Sequence, residues 1–138
     1  MKALLPCGLF AFGLASMSGC VVAVDDDRNG GRRGDAYFTV EWEIDRSQNP
    51  DRCIEYSVDY AFVTVNSRDG FVTDRSVPCE EFGTEFTVPP GSYWASVVLV
   101  DRFDDDRTET AETDDRPFLY DGDSDYVVLN FPDDSFFF

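Results

Sequence analysis

An all-β fold, an antiparallel β-sandwich of about seven to eight short strands closed by one disulfide, is predicted by three features of the sequence. Apolar and polar residues alternate along several short runs. Clusters of Gly, Pro, Asn and Asp separate those runs, and no helical period follows the opening apolar stretch. Such spacing belongs to a sandwich rather than to strands alternating with helices. A chain of 138 residues has room for one domain, and an apolar content of 43% with 15% aromatics suffices to fill its core.

Each element follows in order. Ala36, Phe38, Val40, Trp42 and Ile44 alternate with Tyr37, Thr39, Glu41, Glu43 and Asp45, which predicts a half-buried first strand. Ile54, Tyr56, Val58, Tyr60 and Phe62 alternate with Glu55, Ser57, Asp59, Ala61 and Val63 in the same way and predict a second. Asn66-Ser67-Arg68-Asp69-Gly70 is a turn cluster, so Phe71 to Val77 returns antiparallel as a hairpin. A fourth strand, Phe82 to Val88, ends at Pro89-Pro90-Gly91. Ser92 to Asp101 is the strongest, with Tyr93, Ala95, Val97 and Leu99 on one face and Trp94, Val98 and Val100 on the other. Arg107 to Thr113 and Pro117 to Tyr120 are weaker strands, and Tyr126 to Phe131 is the last. Ser135-Phe136-Phe137-Phe138 reads as a hydrophobic tail that packs on the sandwich edge or touches a partner. A membrane barrel would need at least eight longer strands with a lipid-facing band.

Before the domain lies a different kind of segment. Met1-Lys2 is a short basic start, and Ala3 to Met17 is an apolar run too short to span a bilayer. Ser18-Gly19-Cys20 closes it and resembles the lipobox of bacterial lipoproteins, with Met17 standing where leucine is commonest. The resemblance implies that residues 1–19 are a signal peptide and that Cys20 carries the acyl chains that attach the protein to a membrane. Each buried methylene contributes about 0.8 kcal/mol, so two or three chains hold permanently. Val21, rather than Asp, after the cysteine implies delivery to the outer membrane, with the periplasmic and cell-surface faces both open. Residues 20–35 then form the lipidated cysteine and a flexible acidic tether. Their stretch DDDRNGGRRGD has nothing to bury and spans about 20 Å as a coil. Residues 36–138 form the sandwich.

A secreted chain meets an oxidising compartment, so Cys53 and Cys79 are expected as a disulfide that staples one end of the hairpin. Closing that loop stabilises the fold by about 3–3.5 kcal/mol in the chain-entropy model. The stretch PPGSYWASVVLVD resembles the proline-glycine turn and tyrosine strand of transthyretin-like and carboxypeptidase-regulatory-like sandwiches. Trp42-Glu43-Ile44 with two cysteines is similar to small bacterial lipoproteins. Both imply a prealbumin-type or immunoglobulin-like sandwich and bring no catalytic residue.

Charge and composition bound the function. There are 28 acids against 11 bases, for a net charge of −17, so the chain lacks the basic footprint that nucleic acid requires. That field fits a basic protein partner, a salt-rich habitat, or an excess of charge that keeps an anchored protein monomeric. No histidine is present and Lys2 is the only lysine, which removes histidine-assisted nucleophiles and, after cleavage, a lysine Schiff base. Carboxylate-pair chemistry survives, but a domain this small rarely builds a cleft beside its core. A non-enzymatic interaction or envelope-structural role is therefore expected, with no cofactor. The alternative is a calcium-dependent module for carbohydrate or another ligand. Asp121-Gly122-Asp123-Ser124-Asp125 spaces carboxylates as a calcium loop does, and begins like an EF-hand loop. Tyr126 then replaces the required glycine and Pro132 the bidentate glutamate. Asp104-Asp105-Asp106 and Asp114-Asp115 could join if the strand ends cluster, with an exposed aromatic such as Trp94 beside them. Otherwise these are solvated acidic turns.

Overall fold

The structure, a computed structural model, describes residues 34–138; the expected signal peptide, Cys20 and the expected tether up to residue 33 lie outside the described residues. Seven strands pair into two sheets. In one, β1 (Ala36–Ile44) lies between β4 (Gly83–Val88) and β7 (Ser124–Phe131). In the other, the order is β3 (Gly70–Pro78), β2 (Tyr60–Ser67), β5 (Tyr93–Val100) and β6 (Ala111–Glu112). The all-β sandwich and its disulfide are as the sequence predicts. Pairing departs from antiparallel at one place: β7 runs parallel to β1, from Tyr37 beside Ser124 to Ile44 beside Phe131. β7 is reached only after the chain has crossed the second sheet, so it enters beside β1 from the same end, which a hairpin return would forbid.

The core lies between the sheets and divides its volume unequally. The first sheet contributes Phe38, Trp42, Phe86 and Phe131; the facing strands contribute Ala61, Val63, Val65, Ala95 and Val97, all fully enclosed. Large rings on one layer against mainly small and β-branched side chains on the other, with Tyr93 and Leu99 of β5 the larger ones there, let the layers interdigitate at ordinary sheet separation. This division corrects the expected phase of β2. Tyr60 and Phe62 point outward, 39% and 40% exposed, while Ala61, Val63 and Val65 point in. An inward Tyr60 and Phe62 would have met the rings of the opposite sheet.

The start of that predicted second strand is also not a strand. Pro50–Glu55 forms a short helix, α1, capped by the Asn49 side chain, which accepts from the Asp51 N–H at 3.0 Å. Pro50 sits in the first turn, where its missing N–H costs nothing. Ser57 then takes a left-handed conformation, φ 56°. The chain turns there, so that Cys53, Tyr56 and Val58 are buried and Ile54 is 78% exposed. The apparent alternation from Ile54 to Val58 therefore belongs to a helix followed by a turn.

Two local devices set the remaining geometry. Gly70 closes the β2–β3 hairpin at φ +115°, a conformation that strains any L side chain. Before β5, the Tyr93 ring folds back and its hydroxyl donates to the Pro89 carbonyl, a tyrosine corner of the kind sandwiches use. A Cβ on Gly91 would stand 3.0 Å from that hydroxyl, so the Pro-Gly turn and the tyrosine are one unit. The weaker predicted strands reduce to the two residues of β6 and to single bridges, Gly91 with Leu119 and Thr108 with Phe136. In the tail, Phe136 is buried and Phe138 is 92% exposed.

Candidate functional site

The acidic loop before β7 is built as a turn. The Asp123 carboxylate accepts the Tyr120 N–H at 2.8 Å, and Gly122 takes φ +82°. Asp121 packs against Gly34, where a Cβ would fall 1.5 Å from its Oδ1. Asp125 is held by Arg116 through two bonds, Nε to Oδ2 at 2.8 Å and Nη2 to Oδ1 at 3.2 Å. Those bonds, with the Tyr126 N–H, hold the Asp125 carboxyl below the usual carboxylate range, against a desolvation that works the other way. The same pairing raises Arg116 further. The three carboxylates thus have three separate partners. A calcium loop must curl its ligands inward, whereas the chain is already extended from Ser124. Among the described residues, no group of three or more Cys, Asp or Glu is arranged to hold a metal ion.

Nor do the other acidic runs join it. Asp104-Asp105-Asp106 follow the end of β5, and Asp121 lies beyond its start, so the length of that strand, about 25 Å, separates them. The Asp101 carboxylate caps its own loop, accepting from the Phe103 and Asp105 N–H groups at 2.7 and 3.1 Å. Asp115 meets the exposed Arg68 at 3.5 Å. Trp94, expected as an exposed aromatic, is half-buried.

The opposite end of the sandwich carries the disulfide. Cys53 of α1 is bonded to Cys79, which opens a short 3₁₀ turn after β3. Cys53 therefore lies in a helix, and the staple ties that helix to the end of the hairpin. The Trp42 indole N–H donates to the Cys79 carbonyl at 3.2 Å, linking the staple to the other sheet. Beside it, Tyr56 stacks on Phe136 with ring centroids 4.2 Å apart and donates its hydroxyl to Asp133. That hydrogen bond, helped by desolvation, pushes the Tyr56 phenol up to about 12. No local signal announces this cluster, since Tyr56 and Asp133 are 77 positions apart.

Three depressions open to solvent. One of about 440 Å³ is lined by Ile54, Asp59, Glu80, Asp101 and Phe103. A second, also about 440 Å³, lies between Arg68, Val72, Pro90 and Phe118. A third of about 320 Å³ lies on the outer sheet face between Phe62, Val98, Val100, Asp104 and Asp106.

No protein-family model and no curated protein sequence matches the chain. Among solved structures, it is similar to a candidate adhesin from Bacteroides ovatus, at 12% identity and a TM-score of 0.32. The match covers 68% of this chain and 45% of that one, so the chain spans less than half of that protein's length. No property of that protein is carried over.

Proposed function

We propose that the protein is a lipoprotein, anchored to the outer membrane through acyl chains on Cys20, whose sandwich serves as a non-enzymatic interaction or envelope-structural module. The observation that carries this reading is Ser18-Gly19-Cys20 at the end of an apolar run, followed by a charged, glycine-rich spacer that reaches the first strand at Ala36. A binding or structural role draws support from the absence of histidine. It is supported too by the jobs of the shifted groups: Arg52, Tyr56, Tyr93, Arg116 and Asp125 all serve helix ends, turns or packing. Depressions lined by more carboxylates than cations, with Arg102 the one base in the first and none in the third, favour a basic partner over an anionic one.

The test is metabolic labelling of the full chain in a Gram-negative host with an alkyne analogue of palmitate. The wild type is expected to take up label and to partition into the detergent phase; Cys20→Ala loses both. Val21→Asp is expected to shift the labelled protein from outer to inner membrane. Equal labelling of wild type and Cys20→Ala would overturn the anchor, and unchanged sorting of Val21→Asp would overturn the outer-membrane assignment.

A further inference from the structure

Four strands bound the two sheets, and three of their edges are protected. β3 carries Asp74 and Arg75, and its pairing with β2 is irregular at Val65/Asn66. β4 is covered by Arg75, whose Nη1 donates to Thr84 Oγ1 at 2.6 Å and to the Glu85 carbonyl at 3.0 Å. β6 is only two residues long. Charge, irregularity, cover and shortness are the devices by which sheets avoid unwanted pairing.

β7 is protected only at its start, where Asp125 is held by Arg116; from Tyr126 to Phe131 it carries no charged side chain. It is eight residues long, SDYVVLNF, without proline or lysine, and pairs among the described residues with β1 alone. The ladder to β1 uses its odd-numbered residues: the Tyr37 N–H donates to the Asp123 carbonyl, and the Asp45 N–H to the Phe131 carbonyl. By the alternation of a parallel ladder, the backbone groups of Tyr126, Val128 and Asn130 face the outer edge. Tyr126 and Val128 are 66% and 43% exposed. Asp125 already draws on the Tyr126 N–H, so the Val128 and Asn130 N–H groups are the outward donors without a strand partner among the described residues.

We propose that this edge accepts an extended, cationic segment of a partner protein as an added strand, which deepens the interaction role proposed above by naming its partner class. Charge selects the occupant. From Glu109 to Phe138, nine acids stand against one arginine, Arg116, and that arginine is committed to Asp125. Asp121 and Asp123 precede the strand, and Asp133 and Asp134 follow it. A second copy would bring the same field and a net charge of −17 against its own. An incoming strand with alternating apolar and basic residues would place the first beside Val127 and Leu129. Its basic residues would reach the flanking carboxylates, and main-chain bonds to Val128 and Asn130 would set the register.

The experiment uses the full chain carrying Cys20→Ala, so that binding is read apart from anchoring, which the palmitate labelling reads. The probe is an eight-residue peptide alternating valine and arginine; an alternating valine–glutamate peptide and a scrambled valine–arginine peptide are the controls. The alternating cationic peptide is expected to shift the Val128 and Asn130 amide resonances, and to weaken at least fivefold between 50 and 300 mM salt (order-of-magnitude estimate). Val128→Pro removes a donor that faces solvent, so the fold survives it; it is expected to cut affinity at least tenfold. Val128→Lys is expected to do the same by repelling the cation. Overturning results are equal binding to Val128→Pro and Val128→Lys, equal binding of the scrambled or acidic peptide, and shifts confined to Tyr60 and Phe62. Concentration-dependent dimerisation abolished by Val128→Pro would instead assign the edge to a second copy.

Discussion

Reduction of the Cys53–Cys79 bond is expected to remove about 3.5 kcal/mol of stability, because the bond closes a loop across a sequence separation of 26 and so restricts the unfolded chain. For a domain of roughly 100 residues, each kilocalorie moves the midpoint by about 4–8 °C, so the fall should be about 14–28 °C. The loss is not uniform. The six-residue helix α1 is too short to stand by itself, and the bond ties it to the 3₁₀ turn after β3. Thermal and urea unfolding of the chain with and without reductant, beside a Cys53→Ser/Cys79→Ser double variant, measure the total. Hydrogen exchange at Tyr56 and Val58, whose N–H groups bond the Arg52 and Cys53 carbonyls, reads the local part. Because the effect acts through the unfolded chain, the urea slope should also rise on reduction. A midpoint shift under about 3 °C with α1 still protected would refute the reasoning: the sheets alone would then hold that end.

Other substitutions probe single contacts. Trp42→Phe removes one of the two donors to the Cys79 carbonyl, which keeps the Phe82 N–H, and leaves a small void. It should cost about 1–3 kcal/mol by urea unfolding, and a loss below about 0.5 kcal/mol would mean that the indole contributes little. Asp125→Asn should cost at most about 1 kcal/mol at pH 7, since Arg116 is part-exposed. The sign follows from a folded carboxyl held below its unfolded value: the contribution is full above about pH 5 and fades as the pH falls below about 4. Paired melts from pH 7 to pH 2 should therefore converge at the acid end. Tyr56 works in the opposite sense, with its raised phenol retaining the proton to about pH 12. Alkaline absorbance titration of Tyr56→Phe should lose one late-ionising tyrosine. Millimolar calcium and EDTA, at matched ionic strength, should give equal melting midpoints, because Asp125 is committed to Arg116. A calcium-specific rise of several degrees would restore the Asp121 to Asp125 loop as a metal site.

What could be read from the sequence, and what could not, divides by the range of the interaction that decides it. β1 and β5 were legible residue by residue, since every second side chain from Ala36 to Ile44 and from Tyr93 to Leu99 is buried and period two is a local property. The tyrosine corner was half-legible: PPGSY signals a turn, but that Tyr93 closes it on Pro89 is a matter of three dimensions. α1 was missed because two patterns overlap there. Asn49-Pro50-Asp51 is a helix start with a mechanism, yet Ile54, Tyr56 and Val58 also alternate, and the left-handed Ser57 that separates them leaves no compositional mark. The phase of β2 was illegible for a different reason. Tyr60 and Phe62 carry more apolar area than Ala61 and Val63, so area alone turns them inward. What turns them out is the bulk of Phe38, Trp42 and Phe86 on a strand pair distant in sequence. The carboxylates show the same limit at the candidate site. Alternate aspartates at Asp121, Asp123 and Asp125 state what a loop could ligate. Only Arg116 and the extended start of β7 decide what they hold, and both are fixed by the sheet rather than by the loop.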